Sequence, residues 1–281
     1  MFLVSMTMAS KSKSGLDDII KRIKSVEIQG AKEIAIESMK FLKDYTKKNG
    51  WRKSFDSAAS ALERTRPTAV VLHNCLDYLR ENRNAKSIDY LLNQLKTSTQ
   101  KIADASNFIK TGDVVMTHCH SGVAMEVIKH AWKKKKRFKV YATVTEPLHQ
   151  GFRTAKELSD ARIPVTLITD SAVGFYMPEV NLVIVGSDAM RREGNVNKIG
   201  SHNLALAAWE YYKPYYVVAS TLKLDKRKKI IIEMRPSSEI GKLRGVKILN
   251  PAFDITPWKY VTRIITEKGV MTPGIFMRLF K

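Results

Sequence analysis

Apolar residues recur at three- and four-residue intervals through the first hundred positions: "GLDDIIKRIKSVEI", "AKEIAIESMKFLKDYTKK", "WRKSFDSAASALERT", "TAVVLHNCLDYLREN" and "SIDYLLNQLKTSTQKIADASNFI". That period predicts amphipathic helices. Gly30, Gly50 and Pro67 separate them, and residues 11–15, "KSKSG", read as a mobile lead-in. From about residue 111 the pattern changes. "DVVMTH", "FKVYATV", "IPVTLIT", "VNLVIVG" and "PYYVVAS" are short, β-branched and almost wholly apolar, as strands buried on both faces of a parallel sheet must be. Helical segments alternate with them: "GVAMEVIKHAWKKK", "GFRTAKELSDA", "AVGFYM" and "SHNLALAAWEYY". The expected fold is α/β: an N-terminal helical domain over residues 1–109, then a Rossmann-like, doubly wound parallel sheet over 110–281. The boundary falls inside or just after the long helix ending near Ile109.

Ligands of open parallel sheets bind beyond the carboxyl ends of the strands. Just past the predicted strands come His118, Cys119 and His120; Thr145 and Glu146; Asp170 and Ser171; Ser187 and Asp188; and Ser220. Polar or reactive residues therefore follow every strand on one edge, which marks that edge as the candidate site.

Cys119 has three readings. As a metal ligand in "HCH" it lacks the spaced partners of a tetrahedral site. As core filler it is an ordinary small apolar residue. As a reactive thiol it sits at a strand-to-helix turn, where a helix opening at Ser121-Gly122 favours thiolate. Asp188 follows "NLVIVG" directly, so a raised carboxyl pKa and proton transfer are expected of it. The alternative is a helix cap for 189–192. In "GNVNKIGSHN", Asn197 and Lys198 precede a predicted helix start at Ser201, a plausible anion cradle.

Composition narrows the function classes. The 281 residues include 44% hydrophobic and 27% charged side chains, ordinary values for a globular protein. No apolar run reaches membrane-spanning length, and "MFLVSMTMAS" lacks the basic leader of a signal peptide. Two cysteines, Cys75 and Cys119, form no disulfide framework and fit a reducing cytoplasm. The net charge of +21, with "KKKKR" at 133–137 and "KLDKRKK" at 223–229, suits a solvated basic surface, an acidic protein partner or RNA.

Together these residues resemble a known family: the alpha, beta and delta subunits of eukaryotic translation initiation factor 2B, with methylthioribose-1-phosphate isomerase and archaeal ribose-1,5-bisphosphate isomerase. The carriers are "RTRPTAV" (64–70), "THCHSG" (117–122), "TEPLHQGFRTAKEL" (145–158), "IPVTLITDSAVGFYM" (163–177), "VIVGSDAMRREGNVNKIGSHNLALAA" (183–208) and "NPAFDITPWKYVTRIITEKG" (250–269). The ending "NPAFDITP" resembles the archaeal ribose-bisphosphate branch in particular. The resemblance implies aldose–ketose isomerisation of a phosphorylated pentose, with Cys119 and Asp188 as the catalytic pair. It implies substrate binding by Arg66, Gln150, Asn197 and Lys198, by Ser121, and by Arg153 as in the methylthioribose branch. No metal or organic cofactor is required, and homo-oligomers, dimeric or hexameric, are expected.

The chain departs from the isomerase pattern at Gln29, where "QGA" replaces "RGA", and at "VTEP" (144–147), where Val144 and Glu146 replace an acid and an arginine. A carboxylate about 4 Å from a phosphate charge is repelled by about 4 kcal/mol at an effective dielectric near 20. The rival function is a non-catalytic, initiation-factor-like regulatory subunit. It would bind a sugar phosphate or nucleotide together with a translation-factor or RNA partner.

Overall fold

The structure is a computed structural model that describes residues 15–25, 27–28, 30–66, 68–229 and 232–280. Gln29, Pro67 and the lead-in at 11–14 lie outside the described residues. The chain divides into two units between Thr97 and Ser98.

The first unit is helical: α1 (15–24), α2 (Ala31–Asn49), α3 (Lys53–Thr65), α4 (Val70–Glu81) and the first part of α5 (Ala85–Ala105). Its buried residues follow the helical repeat seen in the sequence. They include Ile34, Ala35, Met39 and Leu42 on α2, Phe55, Ala58, Ala59 and Leu62 on α3, and Leu72, Cys75, Leu76 and Leu79 on α4. Burial pushes the Cys75 thiol up to about 12, so it is inert at neutral pH. The fifth helix stops at Ala105 rather than near Ile109. The Ser106 hydroxyl turns back onto the Ile102 carbonyl at 2.7 Å, satisfying a terminal carbonyl and ending the run.

In the second unit the strands are β1 (Val114–Thr117), β2 (Lys139–Thr143), β3 (Val165–Ile168), β4 (Leu182–Val185), β5 (Ala189–Met190), β6 (Asn195–Lys198), β7 (Tyr215–Val218), β8 (Phe253–Thr256), β9 (Arg263–Thr266) and β10 (Gly269–Met271). The helices are α6 (Gly122–Lys133), α7 (Gln150–Asp160), α8 (Val173–Tyr176), α9 (Ser201–Glu210) and α10 (Pro273–Phe276). Seven strands form one sheet in the order β10-β9-β7-β4-β1-β2-β3. All neighbours are parallel except the β9–β10 pair.

Alternate residues on each strand serve opposite faces. Met116, Val183 and Val217 pack with Leu204, Ala205 and Ala208 of α9. Val115, Val140 and Ile184 pack with Met125, Val127 and Ile128 of α6 and Leu158 of α7. Helices thus cover both faces, the doubly wound arrangement. The closing segment packs back on this core through Trp258, Val261, Ile264, Phe276 and Phe280.

A second sheet, in the order β5-β6-β8 and antiparallel throughout, has no counterpart in the sequence reading. The chain after Asp188 is strand, not helix, so Asp188 does not cap a helix at 189–192.

Candidate functional site

Strand order locates the site. The chain runs outward from β1 to β2 and β3 on one side, then returns to place β4, β7 and β9 on the other. The connections after β1 and β4 leave in opposite directions, which makes their junction the switch point where ligands of such sheets bind. Thr117 at the end of β1 is paired with Ile184 of β4. Two residues beyond the first lies Cys119, and four beyond the second lies Asp188. The two loops approach so closely that a Cβ added at Gly186 would sit 2.3 Å from the Ser121 hydroxyl, which only glycine permits. Ser121 is also the N-cap of α6, its hydroxyl accepting the Ala124 N–H at 3.3 Å.

Cys119 is half-buried and holds a left-handed backbone, φ 63°. Its N–H donates to Thr145 Oγ1 at 2.9 Å. Its carbonyl accepts from Thr154 Oγ1, also at 2.9 Å. Desolvation pushes the thiol up to about 11, against the pull of Lys198 and the His120 N–H, while Asp188 and Asp170 push it further. The expected thiolate is therefore overturned. Loss of hydration outweighs the pull of Lys198 and the His120 N–H, which favours the protonated thiol at neutral pH. The same balance of forces places Lys198, Asp188 and Asp170 within electrostatic reach of the sulfur.

Both neighbouring histidines are held by protein partners. His118, buried, lies with Nε2 2.8 Å from the Ile199 carbonyl and Nδ1 2.7 Å from Thr143 Oγ1. A carbonyl only accepts, so Nε2 carries the proton and Nδ1 accepts from the threonine. Burial lowers the His118 pKa, opposed by the Ile199 bond and by Asp170, and the ring is neutral. His120 Nδ1 lies 3.2 Å from Thr154 Oγ1, and its pKa is lowered by burial and then by Arg153. Among the described residues, Glu63, His73 and Asp77 of the first unit converge within metal-ligand reach. Arg80 already donates to Glu63 at 2.7 Å and to Asp77 at 2.6 Å, supplying the positive charge there.

Lys198 ends β6, with its ammonium 5.6 Å from the centre of the Phe253 ring. Asn197 is 5% exposed and donates to the Ser201 hydroxyl at 2.9 Å, which donates in turn to the Lys198 carbonyl at 2.7 Å. The helix start expected to cradle an anion is already occupied by the protein's own carboxylate. Asp254 Oδ2 accepts the N–H groups of Gly200 at 2.8 Å and His202 at 3.1 Å. Burial nevertheless holds the Asp254 carboxyl above its usual value, those two bonds lowering it. An anion at Lys198 would compete with Asp254 for the Gly200 and His202 amides.

Gln150 opens α7, and its Oε1 is buried without a hydrogen-bond partner among the described residues. Arg153, exposed on the same helix, bears on His120. Arg66 follows α3 in the first unit. Glu146 is exposed and pairs with His149 at 3.0 Å. With Glu239, Ile199, Leu249 and Pro251 it lines a 420 Å³ cavity, and Lys198 lowers the Glu239 pKa after Arg235 has done so. Thr154 and Asp254 escaped the sequence reading. Thr154 left a signal, a polar residue on the buried stripe Gly151, Thr154, Leu158 of α7. Asp254 left none outside its motif.

The chain matches the Initiation factor 2 subunit family over residues 27–273. It is 39% identical to a ribose 1,5-bisphosphate isomerase of Methanocaldococcus jannaschii, over 91% of this chain and 92% of that protein. Identity is also 39% to one of Archaeoglobus fulgidus, over 90% and 88%. Among solved structures it is similar to a Pyrococcus horikoshii protein described as translation initiation factor eIF-2B, with a TM-score of 0.82, 29% identity, and coverage of 93% of this chain and 98% of that one.

Proposed function

The chain belongs to the initiation factor 2 subunit family, and from that premise we propose that it is an isomerase converting a pentose 1-phosphate to its ketose. The observation that carries this reading is that Cys119 and Asp188 follow the neighbouring strands β1 and β4 at one edge of the large sheet, with Asp188 and Lys198 acting on a Cys119 thiol that burial holds above its usual range. The reaction needs one proton donor and one acceptor. A proton reaches the ring oxygen as the C1–O bond breaks, the hydrogen on C2 ends on C1, and the 2-hydroxyl gives up its proton as C2 becomes a carbonyl. The thiol is in the form that donates. Asp188 is the acceptor, and its nearness to Cys119 lets the proton return and reset the pair. Lys198 offers charge both to the sulfur and to the substrate phosphate, with Ser121, Gln150, Arg153 and Asn197 of the same unit as further substrate contacts. The residues of this reading require no metal or organic cofactor.

Glu146 and Glu239 line the 420 Å³ cavity, paired with His149 and with Arg235, so substrates with one and with two phosphates are both to be tested. The test is turnover on a panel of aldose 1-phosphates and 1,5-bisphosphates, followed by detection of the ketose. Lys198→Ala is expected to raise KM by about 10- to 100-fold, the value of a hydrogen bond to a charged group. Binding of a sugar phosphate or nucleotide with no turnover on any member would replace this reading with the regulatory one. Self-association is part of the proposal and is read by light scattering. Leu206, Trp209 and Tyr212 offer exposed apolar surface for it. An acidic protein or RNA partner for the basic surface would show as a steep salt dependence of binding.

A further inference from the structure

The hydrogen bonds around Cys119 serve its backbone more than its sulfur. Left-handed φ is rare for a residue carrying a Cβ, and a residue held there by nothing would return to extended or right-handed backbone. Either return would swing the Cα–Cβ bond and carry the thiol elsewhere. Here both polar groups of the peptide are held from outside, by threonine hydroxyls on two different segments. We propose that Thr145 and Thr154 are positioning residues that clamp Cys119 left-handed and so aim its thiol at Asp188 and Lys198. This rests on the isomerase reading for its catalytic consequence, but not for its geometry.

Each clamp is itself fixed. Thr145 has φ 64°, and its N–H and that of Glu146 donate to the two oxygens of Asp170 at 2.9 and 2.7 Å. The Thr145 hydroxyl lies 3.2 Å from the Thr143 carbonyl, to which it gives its own proton. On the other side, Thr154 gives its proton to the Cys119 carbonyl, so it must accept from His120 Nδ1–H at 3.2 Å. The ends of β1, β2 and β3 are thus tied through one residue. Thr143, Thr145 and Thr154 are fully buried, where an apolar residue of the same shape would pack equally well. Each hydroxyl is hydrogen-bonded there. Asp170 gains a role that chemistry at the strand edge did not suggest, since it holds the loop that holds the cysteine.

The experiment is site-resolved alkylation of Cys119 by iodoacetamide against pH, with kcat and KM beside it. It uses Thr145→Val, Thr154→Val and the two serine variants. In the native protein the charged groups facing the sulfur are Lys198 from β6, Asp188 before β5 and Asp170 after β3, with His118 and His120 neutral alongside. Loss of a clamp lets the thiol reach water and fall from about 11 toward the ordinary range. About a hundredfold more thiolate would form at pH 8, offset about tenfold by lower intrinsic nucleophilicity. The valine variants should therefore label about tenfold faster at pH 8, while Cys75, buried and near 12, stays unlabelled. Their kcat should fall about a hundredfold, the cost of a misplaced reacting group, with KM nearly unchanged. The serine variants should restore both readings.

Native labelling and turnover in both valine variants would overturn the proposal, and so would serine variants as defective as valine. If one valine variant does not fold, the other tests the same clamp from the opposite side of the residue. Should the native protein turn over no sugar phosphate, the isomerase reading fails and the alkylation profile alone still decides the positioning.

Discussion

Cys119→Ser is expected to lower kcat for the isomerisation by about a thousandfold, within the range of general acid–base contributions, with the thermal transition nearly unmoved. Asp188→Asn should match it. Because the two groups pass one proton between them, the double variant should be little worse than either alone. The pH profile distinguishes this mechanism from its nearest rival. The thiol is pushed up to about 11, and the form that works is the protonated one, so kcat/KM should not rise between pH 7 and 10 on account of the thiol. It should fall as pH passes about 11. A thiolate mechanism would show activity climbing with pH across the same range. Unchanged turnover in both single variants would remove the pair from the reaction.

Asp225→Ala carries the largest expected effect on stability. Arg191, three residues beyond Asp188, is almost wholly buried, as is Asp225, and donates to it at 2.7 Å. Arg227 donates to the same carboxylate at 2.8 and 3.0 Å, and the Arg191 guanidinium also reaches the Arg227 carbonyl at 2.8 Å. Trp258 closes the arrangement with an indole N–H on the Arg191 carbonyl at 2.7 Å. Removing the carboxylate would leave the buried guanidinium with only the half-exposed Glu193 carboxylate, at 3.2 Å, as counter-charge, at a cost of about 3 kcal/mol. For a domain of this size that lowers Tm by about 10 °C.

Burial opposes ionisation of Asp225, but its bonds to Arg227 and then Arg191 outweigh it, and the pKa lies below the usual value. The stabilisation is therefore present above the unfolded carboxylate pKa, about 3.9. It is lost as pH falls through the lower folded value. Calorimetry of the native protein and Asp225→Ala between pH 6 and 2 should show the gap in Tm closing on the acid side. A constant gap would mean that packing, not charge, dominates. The pair also braces β5, so the variant's kcat reports how firmly Asp188 is held.

The large sheet and its edge residues were legible for physical reasons. Strands buried on both faces are apolar without interruption, so "VVMT" and "LVIV" stand out. A parallel sheet places all their carboxyl ends on one side, which put Cys119 and Asp188 together before any coordinates. The small sheet was not legible, because β6 buries Asn195 and Asn197, inverting the usual pattern of polar residues outward. The carboxylate that competes at the Ser201 helix start was not legible for a non-local reason, since it arrives from Asp254, 54 residues beyond Gly200. The thiolate failed because burial of a side chain is a property of the folded site and not of the turn in which it occurs. Thr145 and Asp170 were visible as polar strand ends, but their use as braces could not be told from a use as reagents.

The switch point at the β1–β4 junction has a kinetic corollary. Those strands are neighbours in space yet separated along the chain by two complete strand–helix units, and closing so long a loop is entropically slow. The hairpin of β5 and β6 can form locally, but it meets the cysteine only after the fourth strand has inserted beside the first. Return of thiol protection during refolding therefore marks completion of the sheet's centre rather than collapse or helix formation.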